Sequence, residues 1–260
     1  MRVILIGANG FVGSAFSRLL SSISYVELVK VTRENYDSVL NTKGDLVIDA
    51  SCNSRKFFAE EQPVSEFNTS VHHRLKTLFD FHSPFHLHIS SVDVYSGIES
   101  VETSCENSFI DLSRISHYGM HKFMAEQLVQ HYAKKWMILR FAGMVGPGLR
   151  KNPVFDILNN QPLRIHPKSQ YQFMHTDDMA KMSWDLIQSD ECGIYNIAGS
   201  GLISPQEIAD MANKPIDLKS IDDRIKPRIL NINLEKISKR FDMPDTKVTI
   251  KKFMEEQNIK

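Results

Sequence analysis

The stretch Arg2-Val3-Ile4-Leu5-Ile6-Gly7-Ala8-Asn9-Gly10-Phe11-Val12-Gly13 decides the fold. An apolar run of strand length enters a turn with glycine at 7, 10 and 13, and an apolar-periodic segment then runs from Phe11 to Ser21. Outward from this strand–turn–helix, short apolar runs alternate with longer helical patterns. Val26 to Val31, Leu46 to Ala50, Pro84 to Ile89, Met137 to Phe141 and Ile194 to Ile197 read as buried strands. Helical periodicity covers roughly 56–81, with Pro63 as a break or kink, and roughly 112–135. The β–α–β order predicts a Rossmann-like, doubly wound parallel sheet with helices on both faces.

The glycines at 7, 10 and 13 permit a tight turn, a close approach of the main chain to a pyrophosphate, and close helix–strand packing. The helix start beyond them offers open N–H groups and a positive dipole end. Gly7, Asn9, Gly10, Phe11, Val12 and Gly13 are therefore candidate dinucleotide contacts, against the plainer reading of a structural turn. At the end of the second strand an NAD site normally carries an acid for the ribose 2′-hydroxyl. Here Thr32-Arg33 stands there, with Glu34 next to it. Arg33 suits a 2′-phosphate, which favours NADP(H) over NAD(H); the alternative is a solvated strand-end charge. Ala50 and Ser51, small residues at the third strand's end, are a further candidate cofactor wall.

Two more features point to chemistry. Tyr118-Gly119-Met120-His121-Lys122 puts Tyr118 and Lys122 on one face of a predicted helix. A free phenol has a pKa of about 10, and a nearby ammonium favours its ionised form. Ser90-Ser91-Val92-Asp93-Val94-Tyr95 lies at the carboxyl end of a predicted strand, where polar side chains face a ligand crevice. The bland readings are surface residues on a helix and strand-end hydrogen bonds to backbone.

Taken with the glycine turn, Ser-Ser-x-x-Val-Tyr followed by Tyr-x-x-x-Lys resembles the NAD(P)-dependent epimerase/dehydratase family of the extended short-chain dehydrogenases/reductases. The likeness runs along nearly the whole chain, through Arg140 to Gly148, Phe173 to Ala180, Tyr195 to Gly199 and Ser204 to Ile208. Val26 to Val29 with Thr32 to Glu34 is similar to the GDP-fucose-synthase branch. The resemblance implies that Ser91 polarises a substrate carbonyl and that Tyr118 is the general acid/base. It also implies that Lys122 holds the cofactor ribose and tunes Tyr118. It further implies a nucleotide-sugar substrate and a homodimer. Tyr171 departs from the family, standing where an arginine often meets the substrate diphosphate; Arg150, Lys151, Arg164 and Lys168 are alternative cations. The 4,6-dehydratases of the family carry Thr-Asp-Glu where this chain has Ser91-Val92-Asp93, and Val92 cannot move a proton. That leaves NADP(H)-dependent keto reduction as the expectation, with an NAD-dependent epimerase as the alternative and a non-catalytic cofactor sensor behind both.

Residues 1–148, joined by 176–198, are expected to form the cofactor domain, with 149–175 and 199–260 as an irregular substrate lobe. Thr176 or Asp177 is read as a helix cap. The 260 residues balance 31 basic against 31 acidic side chains, which is no footprint for nucleic acid. No membrane span or targeting segment is legible, and three scattered cysteines suit a reducing compartment, so a cytoplasmic location is expected. Ten histidines include no His-Glu-x-x-His and no accompanying Cys-x-x-Cys, so no metal site is expected. His117 and His121 are read as surface positions on the Tyr118 helix.

Overall fold

The computed structural model describes residues 1–217, 221 and 224–258; the rest of the expected lobe lies outside the described residues. In chain order the elements are β1 (Arg2–Ile6), α1 (Phe11–Ser21), β2 (Glu27–Val31), β3 (Leu46–Asp49), α2 (Lys56–Glu61), α3 (Pro63–Phe67) and α4 (His73–Asp80). There follow β4 (Phe85–Ser91), α5 (His117–Tyr132), β5 (Lys135–Phe141), β6 (Gly143–Val145), α6 (Pro153–Leu158), β7 (Phe173–His175) and α7 (Thr176–Gln188). The chain ends with β8 (Gly193–Ile197), α8 (Pro205–Met211), α9 (Glu235–Ser238) and α10 (Thr246–Glu256).

Six strands form one sheet in the order β2-β1-β3-β4-β5-β8, with parallel pairing from β2 through β5. This is the Rossmann-like α/β architecture expected from the alternating pattern. β1, β3 and β4 are almost wholly buried, as strands covered on both faces require. One crossover departs from the expectation of helices throughout. Between β2 and β3 the chain has only a 3₁₀ turn at Asp37–Val39. Tyr36 and Val39 from this segment cover Ile4, Ile6, Val31 and Val47, aided by Phe81. Two aromatic and aliphatic side chains on a coil thus take the place of a helix stripe.

The 56–81 segment is three helices, not one kinked helix. Pro63 starts α3 at its first turn, where its missing N–H costs nothing, and a π-helical turn at Asn68–His72 joins α3 to α4. The Tyr118 helix is shorter than its periodicity suggests. The Ser116 hydroxyl accepts the Gly119 N–H at 3.1 Å and sets its start, leaving Leu112–Arg114 as a separate 3₁₀ turn. β4 runs two residues beyond the expected Ile89 and takes in both serines, pairing Ser90 with Arg140 and Ser91 with Phe141.

By contact density the chain forms two units: 1–96, 109–141 and 180–195 in the first, and 97–108, 142–179 and 196–260 in the second. Residues 97–108 and 142–148 belong to the second unit, a long-range grouping that linear boundaries do not reveal. That unit has its own core of Val145, Val154, Phe173, Ile203, Ile208, Ile250 and Phe253. Its β6–β7 pair is parallel and replaces the loop expected after Phe141; with no side chain, Gly143 gives the Phe173 ring room beside it. A cavity of about 250 Å³ lies among Gly146, Gly148, Leu149, Phe155, Phe253 and Gln257. The Asp177 N–H is capped by His175 Nδ1 at 3.2 Å, while the expected cap Thr176 has its buried hydroxyl unpartnered. No helix among the described residues is long and apolar enough to cross a membrane.

His86 and His88 share the β4 face toward α4 and α5, beside Arg74, Thr77 and Val129. Burial pushes His86 down to about 4, with the Arg74 charge adding to the effect. An unfolded histidine takes its proton near 6.5. As pH falls from 6.5 to about 4 the unfolded chain binds a proton that the folded chain refuses, so stability is lost across that window and is complete above it. The loss is on the order of 3 kcal/mol by pH 4. Urea midpoints compared at pH 7.5 and 4.5 check this: His86→Leu shows a smaller drop than wild type, and an equal drop in both rules the histidine out.

Candidate active site

The site assembles in the first unit at the carboxyl ends of β1, β3 and β4. Gly7 has φ +77°, a conformation open to glycine, and a Cβ there would stand 2.9 Å from the Ser51 N. A Cβ on Gly13 would stand 2.0 Å from the Gly7 oxygen, so only glycine lets α1 rest on the turn. Gly10 is the N-cap of α1, where no side chain fills the first-turn N–H groups and no acid stands in that turn. Asn9 lies in the turn, and Phe11 and Val12 begin α1 at its open, positive end. It fits a pyrophosphate.

Ala50 and Ser51 border the same turn. Their backbone is anchored by buried Asp49, which accepts from the Ser51 N–H at 3.0 Å and the Thr77 hydroxyl at 2.7 Å, and is ion-paired to Arg74. Arg74 in turn donates to the Ser51 carbonyl at 2.9 Å, and His73 Nε2 lies 3.1 Å from the Ser51 hydroxyl. At the end of β2, Thr32 gives its N–H to Asn35 Oδ1 at 2.7 Å, while Arg33 is exposed to solvent.

Ser91, Tyr118 and Lys122 come together. Strand alternation sends Ser90 and Ser91 to opposite faces. Ser90 donates to the buried Glu126 carboxylate, which also binds Arg140. Ser91 is left at the strand end, close to Tyr118, with its hydroxyl donating to Asp93 Oδ2. Gly119 makes the approach possible, because a Cβ at this helix position would stand 2.1 Å from the Asp93 carbonyl oxygen. Tyr118 and Lys122 are both buried, and the Lys122 ammonium lies 5.6 Å from the Tyr118 ring centroid.

The charge balance differs from the sequence expectation. Burial first, then the charges of Cys52, Asp93 and Glu66, push the Tyr118 phenol well above its ordinary value; the Ser91 hydrogen bond only partly opposes them. Lys122 donates to Cys52 Sγ at 2.7 Å. A phenol is already protonated near pH 7 at its ordinary value, and these surroundings resist its ionisation further, which suits a proton donor.

Several groups around the site were not singled out from the sequence. Asp93 accepts from the Ser91 hydroxyl at 2.8 Å and pairs with Lys56 at 2.6 Å. Glu66, fully buried, is ion-paired to His121 and accepts from Ser70. His121 is therefore an interior residue beneath the site rather than a surface one, whereas His117 is exposed and 3.1 Å from Glu60. No local signal marked Glu66, and the π-helical turn that follows it at Asn68–His72 is seen only in the structure. Cys52 lies in a stretch with no motif, Lys56 at the first position of the 56–81 periodicity, and only the fold brings them to Lys122 and Asp93.

A Rossmann-like sheet with a glycine cradle and a converging serine, tyrosine and lysine defines a dinucleotide-dependent enzyme class. Residues 3–198 match the NAD dependent epimerase/dehydratase family, and the chain belongs to it. It is accordingly a member of a family of NAD-dependent epimerases and dehydratases. No curated protein matches the chain. Among solved structures, it is similar to a dTDP-4-dehydrorhamnose reductase of Clostridium acetobutylicum, with TM-score 0.80 and 17% identity over 99% of this chain and 100% of that one. The reductase of Bacillus anthracis, solved with NADP, gives TM-score 0.78 and 17% identity over 98% of both chains. A UDP-glucuronic acid 4-epimerase of Bacillus cereus, solved with UDP-glucuronic acid and NAD, gives 0.77 and 17% over 99% and 100%. At such identities these likenesses speak for the fold.

Proposed function

We propose that the protein reduces a keto group of a nucleotide-linked deoxysugar with NADP(H). The arrangement that carries this reading is the buried Tyr118 phenol with the Lys122 ammonium 5.6 Å from its ring, facing the end of β4 that bears Ser91. A ketone being reduced needs a proton at its oxygen, and a buried, protonated phenol supplies one; general acid help of this kind is worth about 10²–10⁴ in rate. Ser91 orients the carbonyl oxygen and stabilises the charge that develops on it. Val92, an aliphatic side chain at 2% exposure, offers no proton transfer where a dehydratase needs an acid.

The cradle of Gly7, Asn9, Gly10, Phe11, Val12 and Gly13 holds the dinucleotide pyrophosphate, Ala50 and Ser51 wall it, and Thr32 and Arg33 meet its adenosine end. When bound, the nicotinamide supplies the hydride. Arg33, exposed just past the end of β2, is of the residue type that suits a 2′-phosphate, which supports NADP(H) over NAD(H). Lys122 orients the nicotinamide ribose, releasing Cys52 as it does so. The second unit is proposed to hold the nucleotide sugar, and the active form is proposed to be a homodimer in the cytoplasm.

An absorbance assay at 340 nm against dTDP-, UDP- and GDP-linked 6-deoxy-4-keto sugars tests this. NADPH is consumed with at least one of them, and faster than NADH. Interconversion of sugar epimers without any net absorbance change points instead to an NAD-dependent epimerase.

A further inference from the structure

Behind Ser51, the face of β3 and β4 covered by α4 holds buried polar atoms without partners. His86 and His88 lie two residues apart on β4, so both rings leave the same face, and their register partners on β3 are Val47 and Asp49. The two histidines are 8% and 1% exposed, and neither nitrogen of either ring has a hydrogen-bond partner. Arg74, reaching over from α4, is satisfied on one side only. It is ion-paired to Asp49 and donates through Nη2 to the Ser51 carbonyl at 2.9 Å, while its buried Nε–H has no partner. A buried donor left this way is costly, and more so on a charged group.

These groups surround a cavity of about 10 Å³, lined by Asp49, Arg74, Thr77, His86, His88 and Val129 among others. A single water molecule needs roughly 10–15 Å³ in this measure and two to four polar partners. The charges decide what kind of ligand fits. Asp49 neutralises Arg74, and burial, helped by the Arg74 charge, pushes both histidines below their ordinary value and keeps the rings neutral. A neutral imidazole offers one N–H and one lone pair. The ligand is therefore uncharged, no larger than one heavy atom, and able both to accept and to donate.

We propose that this cavity binds one internal water molecule, which accepts from the Arg74 Nε–H and hydrogen-bonds one nitrogen of each histidine ring. About three such bonds is the usual complement of a buried water. They tie β4 to α4 and complete the shell of the guanidinium that supports Asp49 and the Ser51 carbonyl. An aliphatic pair in place of the histidines would pack the same face and leave the Arg74 Nε–H unpaired. The site is independent of which reaction the enzyme performs.

A high-resolution crystal structure of the full chain, grown from a bromide salt, tests this directly. One peak without anomalous signal is expected, within about 2.7–3.2 Å of Arg74 Nε and of one ring nitrogen each of His86 and His88. Anomalous bromide density at that position makes it an anion site and overturns the proposal. So does a dry cavity in which the rings and the guanidinium pair with one another. In His86→Leu/His88→Leu the peak is lost; a peak of undiminished height there shows that the histidines are not its ligands. A second measurement needs no change at the rings. In protein labelled with ¹⁵N-arginine, the Arg74 Nε–H resonance is assigned by its loss in Arg74→Lys. It gives a rotating-frame Overhauser cross-peak to water, opposite in sign to proton exchange. A cross-peak of exchange sign alone, or none, leaves Arg74 without a bound water and removes the site.

Discussion

Tyr118→Phe lowers kcat by a factor of about 10²–10⁴ and leaves dinucleotide binding intact. The substitution removes one hydroxyl from a side chain already buried against the site, so the helix keeps its shape. The lost group is the one whose proton is held in place by burial and by the charges of Cys52, Asp93 and Glu66. The cradle at Gly7, Gly10 and Gly13 lies on β1 and α1 and does not depend on it. Initial rates with NADPH and a nucleotide-linked 4-keto sugar, alongside fluorescence titration of NADPH, separate the two effects. A variant that turns over at the wild-type rate deprives Tyr118 of its role as the acid. A variant that no longer binds NADPH shows that the phenol was holding the site together rather than serving it.

Glu126→Ala destabilises the fold by about 3–5 kcal/mol. Glu126 is fully buried on α5, Arg140 is 2% exposed on β5, and two hydrogen bonds at 3.0 and 2.7 Å join them. Burial works against the Arg140 charge, but its bonds and attraction to Glu126 more than offset that and hold the guanidinium ionised. The Tyr95 ring also lies 4.8 Å from it. Removing the carboxylate alone strands a charge in the interior and leaves the Ser90 hydroxyl without its acceptor. Replacing both partners, as Glu126→Leu with Arg140→Met, loses far less, because no charge is then left behind. Urea unfolding of the two variants gives the comparison. If the single and double variants unfold at the same denaturant concentration, the pair is not the strut between α5 and β5.

Much of this was legible along the chain. β1 and α1 begin and end where the glycine turn demands, since an apolar run, three glycines and an amphipathic period leave a short list of conformations. Ser91 could be preferred to Ser90 only through the family likeness; in the structure, the two-residue period of β4 explains the choice by turning Ser90 to Glu126. Other features had no local signature. Periodicity marks 56–81 as helical, but the π-helical turn within it lies where Ser70 donates to Glu66 and Glu66 pairs with His121. The coil between β2 and β3 covers the sheet with Tyr36 and Val39, two residues too few to form a pattern.

Local steric rules and the alternation of apolar and polar side chains thus determined, from the amino-acid order alone, a parallel sheet, its glycine turn and one helix face bearing both Tyr118 and Lys122. Tertiary structure decided the electrostatic state of that face. The carboxylates of Asp93 and Glu66 and the sulfur of Cys52 come from distant segments, and burial first, then these groups, push the phenol's pKa up despite the nearby ammonium. Such a balance depends on solvent exclusion and on distances through space, and neither can be read from spacing along the chain.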